Sequence, residues 1–264
     1  MEGFTGADII ENLNDPGKGW LCEIFSTIQG EGLYVGARQL MFRLAGCNLE
    51  CTYCDTTYSR ALPGEFIVER MPGSGLCKSY KNPAGLTTLL EIVNEFNRFK
   101  HHSFSFTGGE PLLQVEFLKA FLPELKIFCI PVYLETNGTL PDNLIKIINY
   151  VDIISMDFKL PSSMGMKAKE FWEEHRRFLR IGINKEIFVK IVVSDATKTD
   201  EIMEASRIIA EVSPGVPLVI VPQTGQDGKI LLEPVMMMEV QDYASRYVKN
   251  VRVIPQVHKF LKCR

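Results

Sequence analysis

No run of apolar residues in this chain approaches the roughly 20 needed to cross a bilayer, so no membrane partner is expected. The first 19 residues lack a basic segment followed by an apolar core. Asp8, Glu11 and Asp15 stand there instead, and a secretion signal is not expected. There is no excess of positive charge: 29 Lys and Arg against 32 Asp and Glu leave a net charge of -3, with the basic residues scattered. That excludes the electrostatic footprint of a nucleic-acid binder or a membrane-surface protein. Seven cysteines without a secretion signal point to a reducing cytoplasmic setting, where thiols hold metals or lie buried and disulfides are rare. Cys22, Cys77, Cys129 and Cys263 fit small core or surface thiols. The rest of the composition, 46% hydrophobic and 23% charged, is that of a single domain with one core over 264 residues.

What is present is organised around residues 43–56, Arg-Leu-Ala-Gly-Cys-Asn-Leu-Glu-Cys-Thr-Tyr-Cys-Asp-Thr. Cys47, Cys51 and Cys54 form a C-x3-C-x2-C pattern on a loop expected after a short apolar strand at 40–44. Thiolates are soft ligands that suit iron–sulfur clusters and zinc. A structural zinc takes four ligands. The fourth here would have to come from Cys22, Cys77, His101 or His102, none at a usual zinc spacing. Three thiolates without a fourth partner suit a [4Fe-4S] cubane, one iron each, with the last iron open to a chelating small molecule.

Strands are expected at 20–25, 40–44, 103–106, 131–134, 151–156, 186–193, 217–221 and 251–254. Between them, helical faces are expected behind a Thr88–Glu91 capping box, from Pro111, at 141–148 and 168–179, behind a Thr199 cap, and at 233–248. Residues 1–19 read as a loose lead-in. Residues 57–85, rich in Pro, Gly and Ser, read as an inserted excursion, a lid or a surface loop. Strand and helix alternation argues for an α/β fold with a parallel sheet and helices outside. After the lead-in and excursion, the length suits about six units rather than the eight of a closed barrel. The expected fold is therefore an open partial (βα)6 barrel in one domain, 1–264, with ligands at the carboxyl ends of the strands.

Several motifs fall at that rim. Gly30 and Gly32, in Ile28-Gln29-Gly30-Glu31-Gly32, mark backbone that bends or lets a ligand approach. Thr107-Gly108-Gly109-Glu110-Pro111 follows a strand and opens a helix. Asp157-Phe158-Lys159 puts a carboxylate and an amine at a strand end, and Pro222-Gln223-Thr224 ends a later strand. Arg43 interrupts an apolar strand, and a buried guanidinium needs an anion, either an internal carboxylate or one on a substrate. Thr56 offers a hard oxygen suited to Mg2+, or with Asp55 simply caps a helix. His258 stands close to the end of the sequence, and a lone histidine is more often structural than catalytic.

The cysteine spacing resembles the signature of the radical S-adenosylmethionine (SAM) superfamily. Together with Gln29-Gly30-Glu31-Gly32, Arg43 to Cys47, Cys54-Asp55-Thr56, Thr107 to Pro111 and Gln256-Val257-His258-Lys259, it resembles the 7-carboxy-7-deazaguanine synthase family from about residue 20 onward. The resemblance implies a radical SAM barrel in which Cys47, Cys51 and Cys54 ligate a [4Fe-4S] cluster. By the same resemblance SAM lies near Tyr53, Cys54, Asp55, Gly109, Asp157, Phe158, Lys159, Val221, Pro222, Gln223 and Thr224. Thr56 would hold Mg2+, and the pterin substrate would meet Ile28, Gln29, Gly30, Glu31, Arg43, Thr107, His258 and Arg264. It further implies ring contraction of 6-carboxy-5,6,7,8-tetrahydropterin with loss of ammonia, a flavodoxin or ferredoxin as electron donor, and a homodimer. The chain departs from the family pattern at 157–159, where many relatives carry Ser-Pro-Lys, and at the turn of Pro222. A second reading is an activase that makes a glycyl radical on a partner protein; a third is a non-enzymatic iron–sulfur or zinc module. Anaerobically prepared protein is expected to be brown and to contain iron, by metal analysis and absorption; a colourless zinc protein would exclude both enzyme readings.

Overall fold

Hydrophobic residues at strand period and at helix period alternate along the chain, and the backbone follows them. The computed structural model describes residues 13, 15–167, 169–225 and 227–263. Among these residues twelve strands form: β1 (Lys18–Gly19), β2 (Leu21–Ile28), β3 (Arg38–Leu44), β4 (Glu65–Glu69), β5 (Cys77–Lys81), β6 (Ala84–Gly85), β7 (Ser103–Gly108), β8 (Val132–Thr136), β9 (Ile153–Asp157), β10 (Glu186–Val193), β11 (Leu218–Pro222) and β12 (Val251–Val253). The α-helices are α1 (Leu86–Phe96), α2 (Val115–Glu124), α3 (Pro141–Ile147), α4 (Trp172–Gly182), α5 (Thr199–Val212), α6 (Pro234–Ser245) and α7 (Val257–Leu261).

Ten strands make one sheet in the order β12-β11-β10-β9-β8-β7-β3-β2-β4-β5. From β3 to β12 the neighbours are parallel. The two outermost strands are β12 and β5, so the sheet does not close on itself. Six βα units, β3–α1 through β11–α6, give the expected open partial (βα)6 barrel, with β12 and α7 added after them. Among the described residues no helix is long and apolar enough to cross a membrane.

Both sheet faces are covered, which is why β10 reads Ile187-Phe188-Val189 rather than as an alternation. On the helix side, Leu89, Ile92, Val93 and Phe96 of α1 are buried at helical spacing. There Phe42 stacks on Phe106 at 4.9 Å and Phe117 on Phe121 at 5.3 Å. On the other face Tyr133, Ile153, Phe188, Val219 and Val221 form a second cluster, against which Leu33 and Tyr34 pack. Those two belong to the 3-10 turn Gly32–Tyr34. Gly32 has φ +69°, and a Cβ on it would meet the Phe188 ring at 2.4 Å. A side chain at that position would push the turn off the sheet.

The structure corrects four details. Residues 57–85 are neither lid nor plain loop: β4 pairs in parallel with β2 and β5 folds back on β4, extending the sheet. Phe66 and Val68 are buried by this pairing, an alternation too short to register as a period. Helix α1 starts at Leu86, so Thr88 lies inside it and makes no cap; the β1–β6 pairing, Gly19 to Ala84 and Lys18 to Gly85, feeds the chain straight into the helix. Thr199 is the first helical residue rather than the cap, while Glu201 still accepts from the Lys198 main chain at 3.2 Å. Helix α4 begins at Trp172, not at 168, because Phe171 is buried with Leu49 and Met164 before the helix starts.

Candidate active site

The carboxyl end of β3 passes directly into the cysteine loop, and β7 beside it ends in Gly108, with Gly109 next. Gly109 donates its main-chain N–H to the Leu44 carbonyl at 3.1 Å, and Glu110 donates to that of Gly46 at 2.8 Å. A Cβ on Gly109 would stand 2.0 Å from the Gly46 oxygen. At Gly108, where φ is +133°, it would stand 2.2 Å from the Leu44 oxygen. These glycines therefore let the cysteine loop lie against β7, besides leaving room for a ligand. The loop is tied further by the Thr52 N–H and hydroxyl, which donate to the Ser163 carbonyl at 2.9 and 3.1 Å, and by Gly46 to Ser59 at 2.7 Å.

Cys47, Cys51 and Cys54 all line one cavity of about 210 Å³. Cys51 Sγ lies 3.9 Å from Met164 Sδ, and Cys54 Sγ 3.9 Å from the Thr56 hydroxyl. Burial pushes the Cys47 thiol up to about 11 and raises that of Cys51 as well. Such thiols lose their protons on binding a metal. Among the described residues no three Cys, His, Asp or Glu side chains already converge as a metal cage. The donor set nonetheless fits a three-thiolate cluster. None of the four residues open as a fourth zinc ligand lines the cavity. Cys77 is exposed on β5. His101 and His102 face the Ser26 and Ser103 hydroxyls at 2.9 and 3.2 Å, near Arg38 at the start of β3.

Glu110 is buried behind this loop and organises the next one. Its carboxylate accepts from Leu112 N (3.0 Å), the Thr136 hydroxyl (2.7 Å) and Asn137 N (2.8 Å). Burial pushes the Glu110 carboxyl up to about 7 against the pull of these donors. Asn137 donates to Asn48 Oδ1 at 2.9 Å, which joins the β8 loop to the cysteine loop. His175, held neutral by burial with its pKa down at about 3, donates from Nε2 to the Asn137 carbonyl at 3.1 Å.

The opposite wall is charged. Lys190, 2% exposed on β10, sits 2.6 Å from Glu31 and also bonds Glu135. Gln256 donates to the other Glu31 oxygen at 2.7 Å. Burial alone would raise the Glu31 carboxyl, but the charge and hydrogen bond of Lys190 override it and pull it down to about 2. Lys159 bonds Asp157 at 2.6 Å and the Tyr53 hydroxyl at 3.2 Å. Burial works against the charge of each lysine, and the neighbouring carboxylates hold both well above the ordinary range. Arg43 has the internal carboxylate as its partner: Nε lies 2.8 Å from Glu23, which also accepts from Tyr58 at 2.7 Å.

The expected site residues largely meet. Ile28, Gln29, Gly30, Glu31, Arg43, Tyr53, Asp55, Thr56, Thr107, Gly109, Asp157, Lys159, Gln223, Thr224 and His258 line the same cavity as the thiols. His258 presses on Gly30, where a Cβ would come within 2.2 Å of its ring. Three do not reach the lining: the Phe158 ring is buried 4.1 Å from His175, Val221 packs in the second apolar cluster, and Pro222 receives the Thr224 hydroxyl on its carbonyl. Arg264 lies outside the described residues. Lys190, Glu135, Glu110, Asn137, Gln256 and Arg60 were not singled out as site residues from the sequence. Lys190 is the lone charge in Glu186–Val193 after its first residue, the signal that marked Arg43.

Comparison with known proteins gives the family and the fold. A model of the radical SAM superfamily matches residues 41–207. A 7-carboxy-7-deazaguanine synthase of Geobacter sulfurreducens is 42% identical over 243 residues, 90% of this chain and 95% of the relative. One from Archaeoglobus fulgidus is 34% identical over 92% of this chain and 98% of the relative. The crystal structure of QueE from Escherichia coli superposes with TM-score 0.59 at 17% identity, covering 91% of this chain and 95% of that one. A radical SAM methyltransferase from Sphaerobacter thermophilus superposes with TM-score 0.55 at 12% identity, covering 83% and 66%. At such identities the superpositions speak for the fold alone.

Glu110→Gln turns one acceptor oxygen into an amide N–H facing other N–H donors. It is expected to cost about 1–3 kcal/mol, read as a lower midpoint of chemical unfolding. Unchanged stability would show that Glu110 does not hold the two loops together.

Proposed function

The chain belongs to the 7-carboxy-7-deazaguanine synthase family of the radical SAM superfamily, and from that premise we propose how its own residues serve the reaction. Membership carries a [4Fe-4S] cluster, SAM and a small-molecule substrate. The proposed reaction is the ring contraction of 6-carboxy-5,6,7,8-tetrahydropterin to 7-carboxy-7-deazaguanine with loss of ammonia, a step toward queuosine and related 7-deazapurines. When bound, the cluster and SAM supply the one-electron chemistry that starts it. The protein binds, orients and excludes water.

Cys47, Cys51 and Cys54 hold the cluster. Tyr53, Asp55, Gly109, Asp157, Lys159 and the turn at Gln223 and Thr224 face SAM. Asp157 keeps its Oδ1 buried without a partner, in the position of an acceptor awaiting a hydroxyl or an amine. Ile28, Gln29, Gly30, Thr107 and His258 contact the pterin. The observation that carries the substrate reading is the Lys190 pair with Glu31 and Glu135. One cation against two carboxylates leaves a single net negative charge and free acceptor capacity on the cavity wall, which suits the N–H edge of a neutral, amine-bearing ring. Arg43, fixed by Glu23 and Tyr58, lines the same cavity as the cation for the substrate carboxylate. Thr56, with Asp55 beside it, would offer oxygen to Mg2+, which would supply charge stabilisation for the substrate carboxylate.

A flavodoxin- or ferredoxin-type donor, a cytoplasmic location, a single domain and a homodimer belong to the same reading. The glycyl-radical activase is not favoured, since the relatives named above match at 42% and 34% identity over nearly the whole chain.

Anaerobic incubation with SAM, a strong reductant and the carboxypterin should yield 7-carboxy-7-deazaguanine by mass spectrometry; SAM cleavage without that product would sink the substrate assignment. Lys190→Met leaves the two carboxylates to share a proton, so one becomes a donor. The expected outcome is a KM for the pterin at least about tenfold higher, roughly 1.4 kcal/mol, with SAM affinity unchanged. Arg43→Ala is expected to weaken pterin binding while leaving substrate-free SAM cleavage intact; equal pterin affinity by titration removes its role. Turnover should rise with Mg2+, and indifference to a chelator rules out Thr56 as its ligand.

A further inference from the structure

The cavity contains one cation whose bonds the roles above leave incomplete. Arg60 ends the 3-10 turn Thr57–Arg60 that follows the cysteine loop. Its Nη2 donates to the Cys51 carbonyl at 3.1 Å, which ties the guanidinium to the main chain of one proposed cluster ligand. Its Nε is buried and makes no hydrogen bond. Arg60 nevertheless lines the same cavity as the three thiols. The other cations around it are already matched, Arg43 by Glu23, Lys159 by Asp157 and Lys190 by Glu31. Among the described residues no carboxylate forms an ion pair with Arg60. A buried guanidinium N–H without an acceptor is costly, and keeping it in the cavity that the three thiols line makes sense where an anion arrives there.

Three thiolates on a dicationic cubane leave one net negative charge, and one-electron reduction doubles it. A fixed cation nearby therefore favours the reduced form over the oxidised one. We infer that Arg60, anchored on the Cys51 carbonyl, is the electrostatic counterpart of the cluster and raises its midpoint potential. The electron comes from a low-potential one-electron donor and stays on the cluster, with no bond made or broken in this step. Arg60 acts here on the cluster alone. The inference rests on the three-thiolate assignment but not on the identity of the pterin.

The test is an anaerobic redox titration of the cluster-loaded protein, followed by electron paramagnetic resonance without pterin, on wild type, Arg60→Gln and Arg60→Lys. Iron content is measured on each. Arg60→Gln is expected to shift the midpoint to more negative potential, while Arg60→Lys, which keeps the charge, stays near wild type. An unshifted Arg60→Gln overturns the inference, as does an Arg60→Lys shifted as far as Arg60→Gln. Should Arg60→Gln lose iron, Arg60→Lys decides alone: a wild-type midpoint supports the charge, and a displaced one refutes it. Because the readout is a potential taken without substrate, a failed ring contraction would leave it standing.

Discussion

The main chain of the cysteine loop lies against the end of β7 at hydrogen-bond distance, and the rim of the sheet depends on that approach. Gly109 reaches Leu44 and Glu110 reaches Gly46, at 3.1 and 2.8 Å, across a gap that no Cβ could enter. From that seam the order spreads outward. Glu110 turns inward and takes the first amide of the β8 loop, and Asn137 returns a bond to Asn48 of the cysteine loop. The three thiols thus sit on a loop braced from behind, while their faces stay turned to the cavity.

Electrostatics sets the other half of the site. Two buried cations at the rim are balanced by carboxylates from elsewhere in the chain: Lys190 on β10 by Glu31 of the turn after β2 and Glu135 of β8, and Arg43 on β3 by Glu23 of β2. Lys159 takes its partner from Asp157, two residues before it. Ion pairs of this kind are costly to bury and are tolerated where geometry and function require fixed charge. Because the Lys190 and Arg43 pairs join separate strands and a turn, the carboxyl ends of the sheet are cross-linked by charge as well as by the ladder.

Much of this was legible in the sequence, for identifiable reasons. The parallel strands announced themselves as apolar runs, and the cysteine spacing pointed to a cluster over zinc before any fold was known. Arg43 was visible as a charge in an apolar strand, yet its partner was not, since Glu23 lies on another strand and pairing is a matter of register. Lys190 carried the same mark and has the same kind of partners, supplied by a turn and a strand far away in the chain. The hairpin of β4 and β5 escaped because Phe66 and Val68 are its only buried alternation on one face, and its turn residues look like any loop. Phe158 shows the opposite failure. Proximity in a motif placed it at the site, but it stands just past the end of β9 and its ring is buried in the core against His175.

The hairpin has a further consequence for the life of the molecule in a crowded solution. An open sheet offers two unsatisfied margins, each a template for pairing with a foreign strand. At one margin β12 is only three residues long. At the other the hairpin replaces the apolar β2 as the outermost strand with β5, Cys77–Lys81, whose Lys78 and Lys81 face solvent. Short length at one side and like charge at the other discourage edge-to-edge aggregation, and they leave the barrel free to stay open where its ligands must enter.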